Sequence, residues 1–426
     1  MRKLGEKMRT PRRLAVVAGL ATVLAIAAAG TVLADPYGWF GGGNDNPWPY
    51  NSPGPAPVLA AVGDISCQPG QPEEAEKKTD TCDQGSGSTV RDAAQNATSE
   101  QVEAMKPALI AVLGDEQYQN GYYSDFENSY DKYWGATKFL QRPAPGNHEF
   151  YDNHGQTGVR GLGYFDYFNG IQHSANGSET DQTVTNPTTG VVVSQPTPQQ
   201  QGQAGGFGQT GNGWYSYNLG DWHLISLNIE CADEPGGCST TGSWFESETK
   251  WLAQDLNEDH SRCTLAYWHQ PTFSSTSTAP ATATTPATTW TDDSAEGQTA
   301  DAWWKLLYAH RATLILNGHD HVYSRFAPLD PAGRYDPRHG IREFIIGTGG
   351  ESLDTVVPPQ SASNPDGTPN LQAWADQYYG VMKFRLLPDG YTWDYESAME
   401  SPTAPAGTPS TYSDKGSGTC NGGGGY

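Results

Sequence analysis

The stretch ALIAVLGDEQY, residues 108–118, joins an apolar run to a short polar segment that begins with Gly114 and Asp115. A continuous apolar run of this length, ended by a glycine, predicts a strand that is buried on both faces. A carboxylate directly after such a strand lies at the edge of the sheet where α/β proteins bind their ligands. Tyr118 follows Asp115 by three residues, and a lone tyrosine is by default a packing aromatic. Whether Tyr118 shares a site with Asp115 depends on what the rest of the chain places nearby.

Polar side chains follow other predicted strands in the same way. The five clusters are Asp64, Asp115, Asn147 with His148, His269, and His319 with His321. A single cluster of this kind could be a helix cap or a turn. Five clusters that emerge at the same edge of a sheet predict a functional site.

Predicted strands alternate with predicted helices, and this alternation predicts an α/β fold. Strands are expected at 58–62, 108–113, 214–219, 223–227, 264–268, 313–316 and 344–346, helices at 88–105, 123–134, 244–256 and 301–310, and a hairpin at 380–393. Residues 174–212 and 274–298 are rich in small polar residues and predict surface loops or insertions.

The first 34 residues have the pattern of an export signal. A basic stretch is followed by an apolar run from Leu14 to Leu33 and then by Ala34, after which we expect cleavage. The run is also long enough to span a bilayer, so an uncleaved anchor is the alternative. The expected location is secreted or extracytoplasmic, with no stable membrane partner unless the segment is retained.

The charge balance of the chain is strongly acidic. Cleavage after Ala34 would leave 19 basic and 47 acidic residues of the original 25 and 48, which gives a net charge of −28. Such a field repels polyanions, so no nucleic-acid partner is expected. A small phosphorylated substrate would need a concentrated local positive charge, which bound metal could supply.

Six cysteines occur, at positions 67, 82, 231, 238, 263 and 420. In an exported chain they predict three disulfides. Several pairings are possible, but the short intervals favour Cys67–Cys82 and Cys231–Cys238, which leaves Cys263–Cys420. The chain has no Cys-x-x-Cys pair, so a thiolate zinc site is not expected.

Composition also divides the chain. Residues 35–57 are Gly/Pro-rich and predict a linker after the signal peptide at 1–34. Residues 58–398 form the expected catalytic domain, and residues 399–426 form a Ser/Thr/Gly-rich tail held by its cysteine.

The five clusters offer two aspartates, an asparagine and three candidate imidazole ligands, and Tyr118 could add a phenol as the seventh ligand. This mixture of oxygen and imidazole donors suits iron, manganese or zinc and is poor for calcium. Seven ligands exceed what one ion usually takes, and two ions that share a carboxylate explain the number. Paired metals of this kind activate hydroxide for attack on phosphoesters. His148 remains free to donate a proton to the leaving alkoxide.

The motifs resemble those of calcineurin-like metallophosphoesterases. They are Gly63-Asp64, Gly114-Asp115-x-x-Tyr118, Gly146-Asn147-His148-Glu149, Trp268-His269 and Gly318-His319-Asp320-His321. Most of that superfamily has a histidine two residues after the first aspartate, where this chain has Ser66. The missing histidine together with Tyr118 resembles the purple acid phosphatase branch, in a bacterial-type exported form with a single catalytic domain. The resemblance implies an αββα sandwich with two mixed sheets flanked by helices.

The resemblance also implies a role for each motif residue. A first ion, expected to be Fe(III), would be held by Asp64, Asp115, Tyr118 and His321. Asp115 would bridge to a second ion, Fe(II), Zn(II) or Mn(II), held also by Asn147, His269 and His319. His148 would be the catalytic acid or a stabiliser of the transition state, and would bind substrate together with Asn147. Glu149 and Asp320 are expected to orient ligands.

Two departures from the branch concern the site. Ser66 replaces the glycine that is usual there, and could crowd the first ion or hydrogen-bond near it. The family's further substrate-binding histidine has no match after His269, and His154 is the candidate substitute.

The expected function is hydrolysis of phosphomonoesters. The alternatives are a phosphodiesterase acting on nucleotides or phospholipid head groups, and a non-catalytic cell-surface protein that retains the fold. The sequence leaves the physiological substrate, the pH optimum and the oligomeric state open.

Overall fold

The computed structural model describes residues 56–67, 90–151, 161–169, 171–173, 179–181, 183–185, 192–194, 212–231, 237–276, 295–356 and 370–422. The described residues lie in one compact unit. The predicted export signal, most of the predicted linker, His154 and Cys82 lie outside them. Within the described ranges, no helix is long and apolar enough to cross a membrane.

The first sheet has six strands in the order β17-β16-β15-β1-β2-β3. Its parallel part consists of β1 (Val58–Val62), β2 (Leu109–Leu113) and β3 (Gln141–Ala144). Its antiparallel part consists of β15 (Tyr378–Leu387), β16 (Gly390–Glu400) and β17 (Ser413–Thr419).

The second sheet has seven strands in the order β14-β12-β13-β11-β10-β9-β8. Four of them run parallel: β9 (Trp222–Ser226), β10 (Cys263–Tyr267), β11 (Leu314–Asn317) and β13 (Arg342–Ile346). The antiparallel strands are β8 (Tyr215–Leu219), β12 (Tyr323–Phe326) and β14 (Leu371–Ala375). Two small hairpins pair β4 (Ile171–His173) with β5 (Glu179–Asp181), and β6 (Thr183–Thr185) with β7 (Val192–Ser194).

Helical segments flank the sheets. They are α1 (Val90–Met105), α2 (Tyr123–Asp125), a π-helical turn (Phe126–Tyr130), α3 (Asp131–Trp134), a 3-10 turn (Gly135–Leu140), α4 (Asn147–Phe150), α5 (Leu162–Asn169), α6 (Ser243–Glu258) and α7 (Ala295–Ala309).

The two faces of each sheet are buried against different layers. Along β1, Leu59 and Ala61 pack into a core shared with the second sheet, whereas Ala60 and Val62 pack on the aromatic residues of the helical segments beside the first sheet. Successive side chains of a strand point to opposite faces, so a strand buried on both sides reads as a continuous apolar run. A third core joins the outer face of the second sheet to α6 and α7. The layers are therefore α/β/β/α, which confirms the predicted fold class.

The structure differs from the predicted elements at several places. The helix expected at 123–134 is four short segments of different helical type that continue to Leu140. Helix α7 begins at Ala295, inside a predicted loop. Strand β3 forms where only a short approach through Pro143 was expected. Because β3 is the edge strand of its sheet, a proline that lacks an N–H is tolerated there.

The predicted tail extends the first sheet. Strand β17 pairs along its length with β16, and a disulfide joins Cys420, just after β17, to Cys263 at the start of β10. A second disulfide joins Cys231 to Cys238. Both pairings agree with the prediction, and the pairing of Cys82 remains a prediction.

Candidate metal centre

The five predicted clusters follow β1, β2 and β3 in one sheet and β10 and β11 in the other. Where the chain leaves three of these strands, a non-glycine residue has a positive φ: 60° at Asp64, 49° at Asp115 and 69° at His319. This left-handed conformation is uncommon for such residues and is concentrated at functional sites. The backbone thus turns sharply at the points where the candidate ligands emerge.

Glycines allow the loops to approach one another closely. A Cβ atom on Gly146 would collide with the backbone nitrogen and the carboxylate of Asp115. A Cβ on Gly347 would collide with the carbonyl of Asp320 and would lie 2.8 Å from Oδ2 of Asp64. Gly146 and Gly347 therefore allow the close packing around the two aspartates.

In the folded chain the candidate ligands form two clusters, called the first and the second cluster. The first cluster consists of Asp64, Asp115, Tyr118 and His321. The hydroxyl oxygen of Tyr118 lies 2.9 Å from Oδ1 of Asp64 and 2.9 Å from Oδ2 of Asp115. Nε2 of His321 lies 3.1 Å from that hydroxyl and 3.4 Å from Oδ1 of Asp64. Tyr118 is only 2% exposed, so its hydroxyl is directed inward, among candidate ligands.

The second cluster consists of Asp115, Asn147, His269 and His319. Nε2 of His269 lies 3.1 Å from Oδ1 of Asn147 and 3.2 Å from Oδ2 of Asp115. Nδ1 of His319 lies 3.3 Å from the same Nε2. Oδ2 of Asp115 therefore belongs to both clusters.

In two of the histidines, a hydrogen bond to a backbone carbonyl determines which ring nitrogen faces the clusters. Nδ1 of His269 lies 2.8 Å from the carbonyl oxygen of Leu113, and Nδ1 of His321 lies 2.7 Å from that of Ser352. A carbonyl oxygen only accepts, so each Nδ1 carries the hydrogen in these contacts. In the neutral ring the lone pair is then on Nε2, the nitrogen that faces the clusters.

Other oxygens hold the loops in place. Glu149 is fully buried and accepts hydrogen bonds from the backbone N–H groups of Asp115, Gln117 and Gly146 at 3.0, 3.0 and 2.9 Å. Asp320 accepts a hydrogen bond of 2.6 Å from the hydroxyl of Ser274. Glu149 thus links the loop after β2 to the loop after β3.

The outer oxygens of the two aspartates are bound to the backbone. Oδ2 of Asp64 accepts from the N–H of His319, and Oδ1 of Asp115 accepts from the N–H of His148, each at 2.9 Å. The other oxygen of each carboxylate is left toward the clusters.

Protonation in the cluster region follows from the crowding of charge. Burial favours the neutral acid of Asp115, but the charges of His269 and His148 outweigh it and hold the pKa of Asp115 well below its usual range. Burial and the charges of Asp115 and Asp64 raise the pKa of Tyr118 well above its ordinary value. Burial disfavours the imidazolium of His269, but Asp115 outweighs this and raises its pKa. Without a bound cation, Tyr118 and His269 therefore keep their protons, and Asp115 stays ionised.

The residues present fit bound metal ions. Ligand atoms of Asp64, Asp115 and His269 all lie within 4.8 Å of one another, and the two clusters bring together carboxylate, phenol, amide and imidazole donors. Such donors suit iron, zinc and manganese. The oxygen and nitrogen lone pairs of these side chains face one another with few hydrogens between them, and bound cations would accept those lone pairs. A second group of potential ligands, Cys231, Cys238 and Glu296, differs because its sulfurs are in a disulfide.

His148 lies at the solvent side of the clusters. Its Nδ1 donates to the carbonyl oxygen of Gln119 at 2.7 Å, which leaves Nε2 facing the clusters at 3.9 Å from Oδ2 of Asp115. Its side chain is 19% exposed, and its ring centre lies 4.2 Å from that of Tyr118. His148 is therefore accessible to a solute while it contacts the first cluster.

Some site residues were not predicted from the sequence. Tyr151 accepts a hydrogen bond of 3.0 Å from Nδ2 of Asn147, and Asp354 accepts one from the N–H of His321 at 3.0 Å. The spacing of four residues between Asn147 and Tyr151 is that of neighbours on a helix surface. The contact between them could have been predicted from this spacing. The hydroxyl of Ser66 is buried and has no hydrogen-bond partner in the described part of the chain.

A model of the calcineurin-like phosphoesterase family matches residues 58–323. The chain belongs to this family. The predicted superfamily is therefore confirmed, and the family binds a dinuclear metal centre. No curated protein matches the chain in the sequence search.

Solved structures with a similar fold include a purple acid phosphatase from yellow lupin (Lupinus luteus) seeds. It is 14% identical with a TM-score of 0.50, and the match covers 86% of this chain and 55% of the plant chain. A structure of PhoD is 13% identical with a TM-score of 0.49, covering 86% of this chain and 70% of that one. At these identities the likeness concerns the fold, and this chain spans little more than half of the plant protein.

Proposed function

We propose that the chain is an exported phosphatase that hydrolyses phosphomonoesters with a dinuclear metal centre. The observation that supports this most is the position of Asp115. One of its carboxylate oxygens is 2.9 Å from the Tyr118 hydroxyl and 3.2 Å from Nε2 of His269. A single oxygen between two sets of ligands is what a bridge between two ions requires.

Asp64, Asp115, Tyr118 and His321 would hold the first ion. We propose Fe(III) there, because a phenol whose pKa is raised well above its ordinary value releases its proton only to a strong Lewis acid. Asp115, Asn147, His269 and His319 would hold the second ion, proposed as Fe(II), Zn(II) or Mn(II).

When bound, paired ions polarise a phosphoryl oxygen and lower the pKa of water. The protein's own contribution to the leaving group comes from His148. Its Nδ1 is held by the carbonyl of Gln119, so a proton carried on Nε2 faces the site. The protonated ring would deliver that proton to the departing alkoxide, and the amide of Asn147 beside it would help to bind the phosphoryl group.

The proposed substrate is small. The chain carries a net charge of −23, which opposes binding of nucleic acid. Disulfides at Cys231–Cys238 and Cys263–Cys420 are typical of proteins outside the cytosol, which supports export.

Rates on nitrophenyl phosphate and on its bis-ester would test the reaction class. We expect a higher kcat/KM for the monoester, and a large preference for the diester would overturn the proposal. His148→Asn should lower kcat by about 10²–10⁴-fold, as expected for loss of a general acid. His339→Asn is the matched control, since that half-exposed histidine contacts Asp336 and should keep full activity.

A further inference from the structure

Tyr151 is the most exposed of the four large hydrophobic side chains on the described surface. It is 47% exposed, against 39% for Phe139, 40% for Trp374 and 38% for Leu387. Of the four, it is the one that contacts the metal-site residues, because it directly follows helix α4 and its neighbours there are Asn147 and His148.

Two contacts fix the position of Tyr151. Its hydroxyl accepts a 3.0 Å hydrogen bond from Nδ2 of Asn147, which turns Oδ1 of the same amide toward His269. Its ring meets the ring of His148 edge to face, with centres 4.9 Å apart and planes at 63°. The side chain is therefore anchored at its tip and along its ring while much of its surface remains exposed.

Three rings in successive contact increase in exposure from Tyr118 through His148 to Tyr151. Tyr118 is 2% exposed, the His148 side chain is 19% exposed, and Tyr151 is 47% exposed. The ring of His148 contacts both tyrosines, with its centre 4.2 Å from that of Tyr118 and 4.9 Å from that of Tyr151. A leaving group that takes the Nε2 proton of His148 and departs to solvent would pass near the exposed ring of Tyr151.

We infer that Tyr151 forms one wall of a leaving-group site and gives the enzyme a preference for phosphomonoesters with flat, aromatic leaving groups. The inference rests on the proposed function, since it takes His148 as the proton donor. An anchored, exposed ring offers an aromatic group both apolar contact and favourable ring–ring geometry. A short aliphatic alcohol offers much less contact area to the same ring.

The test compares kcat/KM for phenyl phosphate and glycerol phosphate in wild type, Tyr151→Phe and Tyr151→Leu. We expect Tyr151→Leu to lower the phenyl-to-glycerol ratio by about 3- to 10-fold, the size of one aromatic contact. Tyr151→Phe keeps the ring and should keep the ratio. Trp374→Leu is the matched control, an exposed aromatic on β14 whose loss should leave the ratio unchanged.

An unchanged ratio in Tyr151→Leu would overturn the inference. So would a selective loss of activity on choline phosphate, because that result would assign the ring to a cationic leaving group.

A binding measurement covers the case in which the variant fails to fold. Phenylphosphonate should inhibit the wild type about 3- to 10-fold more tightly than methylphosphonate, and equal inhibition would contradict the inference. If the wild type hydrolyses neither ester, the proposed function fails. Direct binding of the two phosphonates then still tests Tyr151 separately.

Discussion

Tyr118 shows how the environment of one residue decides its chemistry. The hydroxyl is buried and lies between two carboxylates and an imidazole, and burial with the nearby negative charge raises its pKa well above the ordinary value. As a plain phenol it has one hydrogen to share between two acceptors, Asp64 and Asp115. A bound cation would displace the proton of the phenol. It would also reduce the repulsion among the oxygens of Tyr118, Asp64 and Asp115.

Tyr118→Phe should remove one ligand of the first ion without disturbing the fold. We expect the affinity for that ion to fall at least about 10-fold, and an iron-loaded sample to lose its visible charge-transfer band. Elemental analysis with a visible spectrum measures both. Tyr130→Phe is the control, because this buried tyrosine bonds Gln141 outside the clusters. Unchanged iron content and colour in Tyr118→Phe would show that the phenol is not a ligand.

Glu149 is the second residue with a specific expected effect. Its carboxylate accepts from three backbone N–H groups, and the amide of Glu149→Gln offers only one acceptor oxygen. We expect the free energy of unfolding to fall by about 1–3 kcal/mol and metal affinity to fall by about 10–100-fold.

Urea unfolding and metal titration measure the two effects of Glu149→Gln. Glu246→Gln is the control, since this exposed glutamate pairs with Lys250 on the surface of α6 and should change the stability by less than about 1 kcal/mol. Wild-type metal affinity in Glu149→Gln would contradict a role in positioning Asp115.

Asp64, Asp115, His269, His319 and His321 could be proposed as ligands because they closely follow apolar strands, whereas Tyr118 and Asn147 were proposed from the resemblance to the family's motifs. Among the groups that support them, Glu149 and Asp320 were expected from their place in the motifs, but the backbone carbonyls were not. His269 and His321 are oriented by the carbonyl groups of Leu113 and Ser352, and every residue has a carbonyl, so no residue type marks the contact. The hydrogen bond between Asn147 and the hydroxyl of Tyr151 can be predicted only once Asn147 is known to begin a helix.

At the level of elements, buried strands were the most predictable feature. The apolar runs that form β1 and β2 are covered on both faces, so their sequence is uniformly apolar. The segment 123–140 was harder, because its aromatic residues pack into one core while the backbone changes helical type. Strand β17, SDKGSGT, alternates between exposed and partly buried residues at a sheet edge, and its composition gives little strand signal.

The two described disulfides should differ in their effect on stability. Cys263 and Cys420 are separated by 157 residues, and Cys231 and Cys238 by 7. Loop-closure entropy predicts losses of about 5 and about 2.5 kcal/mol when each pair is replaced by serine. Denaturant unfolding of the two double variants tests the order. A larger loss from the short loop would contradict an entropic origin.

For the whole molecule, removal of metal should make stability depend on pH. Burial, with the charge of Asp115, raises the pKa of Glu149 from 4.5 to about 8. Burial disfavours the imidazolium of His321, but Asp64 outweighs this and raises its pKa from 6.5 to about 9. Both groups bind protons more tightly in the folded chain, so their stabilisation is present at low pH and is lost as the pH rises.

We therefore expect the metal-free protein to become less stable between pH 5 and 9. Urea unfolding of chelator-treated protein at pH 6 and pH 9 measures this, and His321→Asn should reduce the difference by removing one of the groups that lose a proton in this range. Equal or greater stability at pH 9 would contradict this account of the empty clusters.

The central claim is that the two clusters together hold two ions that make the protein a phosphomonoesterase. Titration of the metal-free protein with metal, while phosphate release from phenyl phosphate is followed, tests it most directly. We predict activity that rises to a plateau at two ions per chain and is absent in Asp115→Asn at every metal concentration. A plateau at one ion per chain, or no phosphate release at saturating metal, would contradict the claim.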